Sequence, residues 1–139
     1  MCGIFGAITD KGLEEERLRK ISQVLSHRGP DDSGIIKIEL QNKTIDLVHR
    51  RLSIIDLSNR AHQPMCNDDE TLWIVYNGEV YNFLEIRQEL IKKGYKFRSN
   101  SDTEVVLKSY QEWGIDCLKK FNGMFSFAIA DKIKNKIYL

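Results

Sequence analysis

The chain has 139 residues, a length that suits one compact domain and is short for two. Its net charge is +1, from 21 Lys and Arg against 20 Asp and Glu, so it lacks the strong positive field of a nucleic-acid-binding protein. A hydrophobic content of 42% with 29% charged residues is typical of a folded globular protein and excludes a disordered chain.

The sequence also argues against membrane insertion, secretion and metal binding. No stretch approaches the roughly 18 consecutive apolar residues of a membrane-spanning helix. The N-terminus has no basic segment leading into an apolar one, so a cytoplasmic location is predicted. The three cysteines are widely spaced, as expected of reduced thiols, and neither they nor the three histidines show the spacing of a zinc site.

The first half of the chain predicts a strand, a helix and two further strands. Residues 3–9 form a short apolar run, rich in Ile and Phe, that predicts a buried strand. Residues 13–26 have apolar side chains at spacings of three and four behind an acidic first turn, which predicts a helix. Turn-forming residues over 27–34 end that helix, and strands are predicted over 34–40 and 44–49.

The second half predicts one strong strand, two helices and a final pair of strands. Residues 72–76 are apolar, aromatic and β-branched, and they are the clearest strand in the sequence. A helix is predicted from Asn82, as its cap, to Lys93. A second helix is predicted over 103–113, and residues 101–104 at its start resemble a capping box. The last predicted strands are residues 123–131 and 136–139.

The chain stops at Leu139, inside a strand-like segment with no turn and no polar tail. We therefore expect a fragment of a longer protein. No internal repeat, low-complexity tract or linker is visible, so the sequence predicts one partial domain over residues 1–139.

Cys2 is the first candidate for chemistry, because it becomes the N-terminal residue if the initiator methionine is removed. It would then carry a thiol and an α-amino group, with reference pKa values of about 8.5 and about 7.7 to 8.0. Such a pair is a nucleophile with a base on the same residue. The alternative is a small apolar residue at the start of a buried strand.

Five other positions permit either a structural or a catalytic interpretation. Asn77 and Gly78 form a hairpin turn signal, or they supply the side-chain amide and the exposed backbone N–H of an oxyanion hole. Arg51 is a solvated strand charge or a fork for a carboxylate. Asp102 is a helix cap or an acceptor for an ammonium group, and Glu79 is a surface carboxylate or assists that acceptor.

Six short motifs, taken together, resemble the glutaminase domain of class II glutamine amidotransferases, and most closely that of glutamine-dependent asparagine synthetases. The resemblance spans nearly the whole chain. Six motifs in this order are far more specific than any one of them. They are MCGIFG at 1–6, RGPD at 28–31, RLSIID at 51–56, YNGEVYN at 76–82, SDTE at 101–104 and FNGMF at 121–125.

The resemblance implies an α+β fold of the N-terminal nucleophile hydrolase type. In this fold two antiparallel sheets are sandwiched between helices, and here the αββα sandwich would be incomplete at the C-terminus. The resemblance also implies that mature Cys2 attacks the side-chain amide of L-glutamine, aided by its own α-amino group. Ammonia leaves, and water cleaves the resulting thioester to give glutamate.

The family's site residues match positions in this sequence. By resemblance, the Asn77 side chain and the Gly78 backbone N–H stabilise the oxyanion. Arg51 matches the residue that binds the α-carboxylate of glutamine, while Asp102 and Glu79 match residues near its α-ammonium group. No metal ligand is implied. Because Met1 is present in the sequence, Cys2 in an unprocessed chain has an amide where the base is needed.

No segment resembles the Ser-Gly-Gly-x-Asp-Ser loop of the family's synthetase half, so ATP and Mg²⁺ are expected only in a missing synthetase domain. That domain, or a partner subunit, would use the ammonia, with asparagine synthesis as the expected purpose. One alternative is the glutaminase domain of an amidotransferase acting on a sugar or another acceptor. Another is a non-catalytic remnant that binds glutamine or a partner.

Overall fold

A computed structural model describes residues 2–139, so Met1, on whose removal the Cys2 mechanism depends, lies outside the described part of the chain. Short 3-10 helices cover Leu25–Arg28, Asn59–Ala61 and Gly114–Lys120. The three α-helices are α1 (Glu15–Val24), α2 (Phe83–Lys92) and α3 (Asp102–Trp113). The strands are β1 (Gly3–Thr9), β2 (Asp32–Glu39), β3 (Thr44–Arg51), β4 (Met65–Cys66), β5 (Leu72–Val80), β6 (Gly123–Asp131) and β7 (Lys136–Tyr138).

The strands form two antiparallel sheets. The first has the order β1-β3-β2 and the second has the order β4-β5-β6-β7. Their facing surfaces share one apolar cluster, in which Ile45 and Leu47 of β3 pack with Val75 of β5 and Ala128 of β6. Because side chains alternate along a strand, every second residue of β3 and β5 faces this gap between the sheets.

The outer faces of both sheets are covered by helices. Ile74 and Tyr76 of β5 point away from the first sheet and pack with Leu90 of α2 and Leu107 of α3 in a larger apolar cluster. On the other side of the molecule, α1 contacts β3 and buries Leu18. The order of layers is therefore helix, sheet, sheet, helix, which confirms the predicted fold class.

Asn82 is at the N-cap position of α2, as predicted, but the predicted hydrogen bond from its side chain to the first turn of the helix is not formed. The Asn82 side chain makes no capping hydrogen bond to α2. Instead its Oδ1 accepts from the Asn122 N–H at 2.9 Å, and its Nδ2 donates to the Lys120 carbonyl at 2.9 Å. The Asn82 side-chain amide both donates and accepts, and it therefore connects the start of α2 to the segment before β6.

The predicted capping box before α3 is half formed. Ser101 Oγ accepts a hydrogen bond from the Glu104 N–H at 3.3 Å, as predicted. The buried Glu104 carboxylate does not return to Ser101. It accepts from the backbone N–H groups of Arg98 at 3.0 Å and Ser99 at 2.7 Å, and so fixes the loop that leads into α3. This loop determines where Asp102 lies.

Among residues 2–139, no helix has the length and apolar content that crossing a bilayer requires.

We expect Ile74→Ala to lower the free energy of unfolding by about 2 to 5 kcal/mol, because it leaves a cavity in the fully buried cluster under α2 and α3. Ile133→Ala is the control, since that side chain is 76% exposed in the turn before β7. Urea unfolding followed by circular dichroism measures both. Equal effects of the two substitutions would contradict the assigned core.

Candidate active site

A cavity of about 280 Å³ opens at one end of the gap between the sheets. It lies where β3 ends, where β5 passes beyond Met65, the first residue of β4, and where α3 begins. All six residues singled out from the sequence line this cavity: Cys2, Arg51, Asn77, Gly78, Glu79 and Asp102.

Strand alternation directs three of these side chains into the same space. Cys2 is two residues from Ile4, which packs between the sheets. Arg51 follows Leu47 by four residues on the same face of β3, and Asn77 follows Val75 by two on β5. The two sheets therefore present the thiol, the guanidinium and the amide toward one another, although these groups lie far apart in the sequence.

The Cys2 thiol is partly exposed and is held by the backbone of Leu52. Cys2 Sγ accepts a hydrogen bond from the Leu52 N–H at 3.4 Å and lies 3.8 Å from the Leu52 carbonyl oxygen. The ladder explains this contact. Gly3 pairs with Arg50, so Cys2 lies opposite Arg51 and next to Leu52. Cys2 is thus a cavity residue and not a buried apolar one.

Arg51 is buried, so its interpretation as a solvated strand charge is wrong. Its guanidinium donates to the carbonyl oxygens of Ser58, at 3.0 Å, and of Asp56. The Asp56 carboxylate in turn accepts from the N–H groups of Asn100 and Ser58, each at 2.8 Å. These bonds lower the pKa of Asp56 and connect the loop after β3 to the loop before α3.

Asn77 and Gly78 lie inside β5, so the hairpin-turn alternative is wrong. Gly78 pairs with Phe125 of β6 and has a φ of 153°, and a Cβ atom there would lie 2.3 Å from the Met124 carbonyl oxygen. Only glycine fits this close approach of the two strands. The Asn77 Oδ1 is buried and has no hydrogen-bond partner within residues 2–139.

Asp102 is a buried carboxylate without a cationic partner in the described part of the chain. It is the first residue of α3 and is 5% exposed. Its Oδ2 accepts from the Tyr76 hydroxyl at 2.9 Å and from the Val80 N–H at 3.2 Å. Burial nevertheless raises the pKa of Asp102 above the usual range, because these bonds compensate only part of the lost hydration. A cationic ligand group would supply the missing charge.

Glu79 is exposed, as is Gly78, and it lines the cavity at its rim. Three further residues escaped the sequence analysis: Asp56, His49 and Gln63. His49 and Gln63 bond only to other parts of the site, and nothing in their local sequence indicates this. Within residues 2–139 no group of His, Cys, Asp and Glu side chains could hold a metal ion.

Comparisons with known proteins agree on one family. A family model described as "Glutamine amidotransferase domain" matches residues 1–139. The chain is 43% identical to a putative glutamine-hydrolysing asparagine synthetase of Methanocaldococcus jannaschii, over 99% of this chain and 29% of that protein. It is 40% identical to glutamine-hydrolysing asparagine synthetase 1 of Bacillus subtilis, over 99% of this chain and 22% of that protein.

A solved structure has the same fold. It is glutamine phosphoribosylpyrophosphate amidotransferase from Bacillus subtilis, complexed with ADP and GMP. The TM-score is 0.73 with 19% identity, over 93% of this chain and 35% of that one. At this identity the likeness concerns the fold alone. The chain spans less than a third of the two asparagine synthetases that it matches.

We expect Asp102→Asn to raise the free energy of unfolding at pH 7, although it removes a cavity residue. The raised pKa means that the folded state binds a proton more readily than the unfolded state, so ionised Asp102 opposes folding. This penalty is absent below the unfolded pKa, roughly 3.9, and develops as pH rises through the folded pKa.

Urea unfolding of both proteins between pH 3.5 and pH 8 measures this difference. The stability advantage of Asp102→Asn should vanish at the acid end and reach a plateau at neutral pH. Asp69→Asn is the control, since that exposed carboxylate has its pKa lowered by Thr71, which gives the opposite sign. A variant less stable than the parent at pH 7 would contradict a raised pKa.

Proposed function

The chain belongs to the glutamine amidotransferase domain family, and we propose that it hydrolyses the side-chain amide of L-glutamine to glutamate and ammonia. The observation that carries this proposal is the shared cavity, in which a thiol, an amide, a guanidinium and a buried carboxylate face one another. This set contains a nucleophile, a candidate donor to an oxyanion and a charge for each end of a free amino acid.

The proposed reaction begins at Cys2 after removal of Met1. The free α-amino group takes the thiol proton, and sulfur attacks the amide carbon of glutamine to form a tetrahedral intermediate. The intermediate collapses as the α-ammonium group returns its proton to the leaving nitrogen, which releases ammonia and leaves a γ-glutamyl thioester. Water, deprotonated by the same amine, cleaves the thioester to glutamate and restores the thiol. An acylated Cys2 nitrogen has no basic lone pair, so removal of Met1 is essential.

Asn77 and Gly78 are proposed to stabilise the oxyanion of both tetrahedral intermediates. The Asn77 amide lies on the face of β5 that points toward the first sheet, where Cys2 also lies. Its Nδ2 would donate to the oxyanion, whereas the buried Oδ1, which has no partner within residues 2–139, is an acceptor and could take a hydrogen bond from a ligand. Gly78 also lines the cavity, so its backbone N–H could reach the same oxyanion.

Arg51 and Asp102 are proposed to bind the two charges of glutamine. Arg51 uses two donor bonds on loop carbonyls, which leaves three of the five guanidinium N–H groups for the α-carboxylate. Asp102 accepts the α-ammonium group, aided by Glu79 at the rim. Holding both ends fixes the amide over the thiol, and such placement contributes several kcal/mol to catalysis.

We also propose that residues 1–139 are the glutaminase domain of a longer cytoplasmic protein whose synthetase domain, or a partner subunit, uses the ammonia. The support is that the two asparagine synthetases are matched over only 29% and 22% of their length. Asparagine synthesis is the favoured purpose, and ATP and Mg²⁺ would act in the synthetase part. An amidotransferase with a sugar acceptor and a non-catalytic glutamine-binding remnant are the alternatives, which the downstream sequence and a glutamate-release assay distinguish.

We expect Cys2→Ala to abolish glutamate release from glutamine, because it removes the nucleophile. Cys66→Ala is the matched control, since that cysteine is also partly exposed but lies outside the cavity. Both are assayed in the protein at its natural length, with mass spectrometry to establish that Met1 is absent. Comparable turnover in the parent and in Cys2→Ala would remove the proposed mechanism.

We expect Asn77→Ala to lower kcat by roughly 100-fold to 1000-fold with little change in KM, as for the loss of one oxyanion donor. The exposed Asn42 provides a control of the same chemical change, Asn42→Ala, in the turn between β2 and β3. Steady-state kinetics of glutamate release separates kcat from KM. A raised KM with unchanged kcat would instead assign Asn77 to ground-state binding.

A further inference from the structure

The backbone of Tyr76 lies beyond the end of its neighbouring strand. In the β4–β5 ladder, Met65 pairs with Ile74 and Cys66 pairs with Trp73, and no further pairs form. The same register places Gln63 opposite Tyr76, just outside β4. The N–H and carbonyl of Tyr76 that face this side are buried, so they need partners other than a strand.

Two buried side chains replace the missing strand. Gln63 Oε1 accepts from the Tyr76 N–H at 2.7 Å, and His49 Nε2 lies 3.1 Å from the Tyr76 carbonyl oxygen. Gln63 is 4% exposed and His49 is fully buried between the sheets. Gln63 Nε2 also donates to Thr103 Oγ1 at 3.2 Å, which connects this point of β5 to the residue after Asp102.

The hydrogen bond between His49 Nε2 and the Tyr76 carbonyl oxygen has only one possible donor. A carbonyl oxygen can only accept, so Nε2 must carry a proton and donate it. Burial lowers the pKa of His49 to about 4, which makes the ring neutral at physiological pH and leaves Nδ1 unprotonated. Nδ1 has no hydrogen-bond partner among the residues that the structure describes. His49 therefore makes one defined hydrogen bond, to Tyr76.

The position of that bond is informative, because the Tyr76 carbonyl belongs to the same rigid peptide unit as the Asn77 N–H. We propose that Gln63 and His49 are positioning residues, which fix the Tyr76–Asn77 peptide and so aim the Asn77 amide and the Gly78 N–H at the reacting carbonyl. This proposal rests on the proposed glutaminase function. It assigns a role to two residues whose hydrogen bonds go to protein groups and not to a charged group of the ligand.

The first test replaces Gln63 by methionine, which keeps the side-chain length and removes both hydrogen bonds. We expect kcat for glutamine hydrolysis to fall by up to about 100-fold with KM changed by less than about twofold, since small misplacement of catalytic groups carries that cost. Alkylation of Cys2 by iodoacetamide needs no oxyanion donor, so its rate should stay unchanged. Gln88→Met, at an exposed position of α2, is the matched control.

A second pair of variants tests the donor on the other side of Tyr76. His49→Leu removes the hydrogen bond, whereas His49→Gln retains a side-chain N–H that can reach the carbonyl. We expect kcat to fall in His49→Leu and to recover, at least tenfold, in His49→Gln. Amide hydrogen exchange should show faster exchange of the Tyr76 N–H in Gln63→Met, which removes its acceptor, and of the Asn77 N–H in both Gln63→Met and His49→Leu. Protection of Asn77 should be restored in His49→Gln.

The outcomes separate this proposal from the one on which it rests. An active parent protein with unchanged kcat in Gln63→Met, or equal kcat in His49→Leu and His49→Gln, overturns the positioning role and leaves the glutaminase proposal intact. A parent protein at natural length that releases no glutamate overturns both. If Gln63→Met does not fold, the His49 pair decides the question by the same criterion.

Discussion

The gap between the two antiparallel sheets is the constraint on which the site depends. Each strand presents every second residue to this gap, and Leu47, Val75 and Ile4 close it with apolar contacts. At its open end the same alternation presents Arg51, Asn77 and Cys2. A shift of one residue in the pairing of any of these strands would turn its site side chain away from the gap. The strand register that packs the core therefore also assembles the site.

The cavity contains two buried charged side chains, Asp102 and Arg51, that are held by neutral groups. Asp102 is held by neutral donors alone, and its raised pKa shows that these donors compensate for only part of its lost hydration. Arg51 is likewise held by carbonyl oxygens and forms no salt bridge within residues 2–139, although its charge contributes to the lowered pKa of Asp56. Under the proposed function, a zwitterionic amino acid would supply both missing charges, and the cost in stability would serve ligand binding.

Local sequence patterns predicted the elements better than they predicted the function of polar residues within them. The strand over 72–76 was found because its apolar run is continuous, but its extension through Asn77 and Gly78 was not, since these residues locally favour a turn. Cross-strand pairing with β6 overrides that preference. Asn82 has the sequence of a helix cap, yet its hydrogen bonds go to a segment about forty residues further along the chain.

The sequence by itself indicated the family through six ordered motifs, and that resemblance implied the layered α+β fold and the six candidate site residues. Apolar periodicity alone predicted only the individual strands and helices. The sequence could not predict that Asp102 lacks a counter-charge, or that Gln63 and His49 complete the ladder at Tyr76. Those properties depend on the burial of these side chains and on contacts between residues that lie 13 to 27 positions apart in the sequence. The packing of α3 on the second sheet and of one sheet on the other brings such groups within hydrogen-bonding reach and removes the water that would otherwise hydrate them.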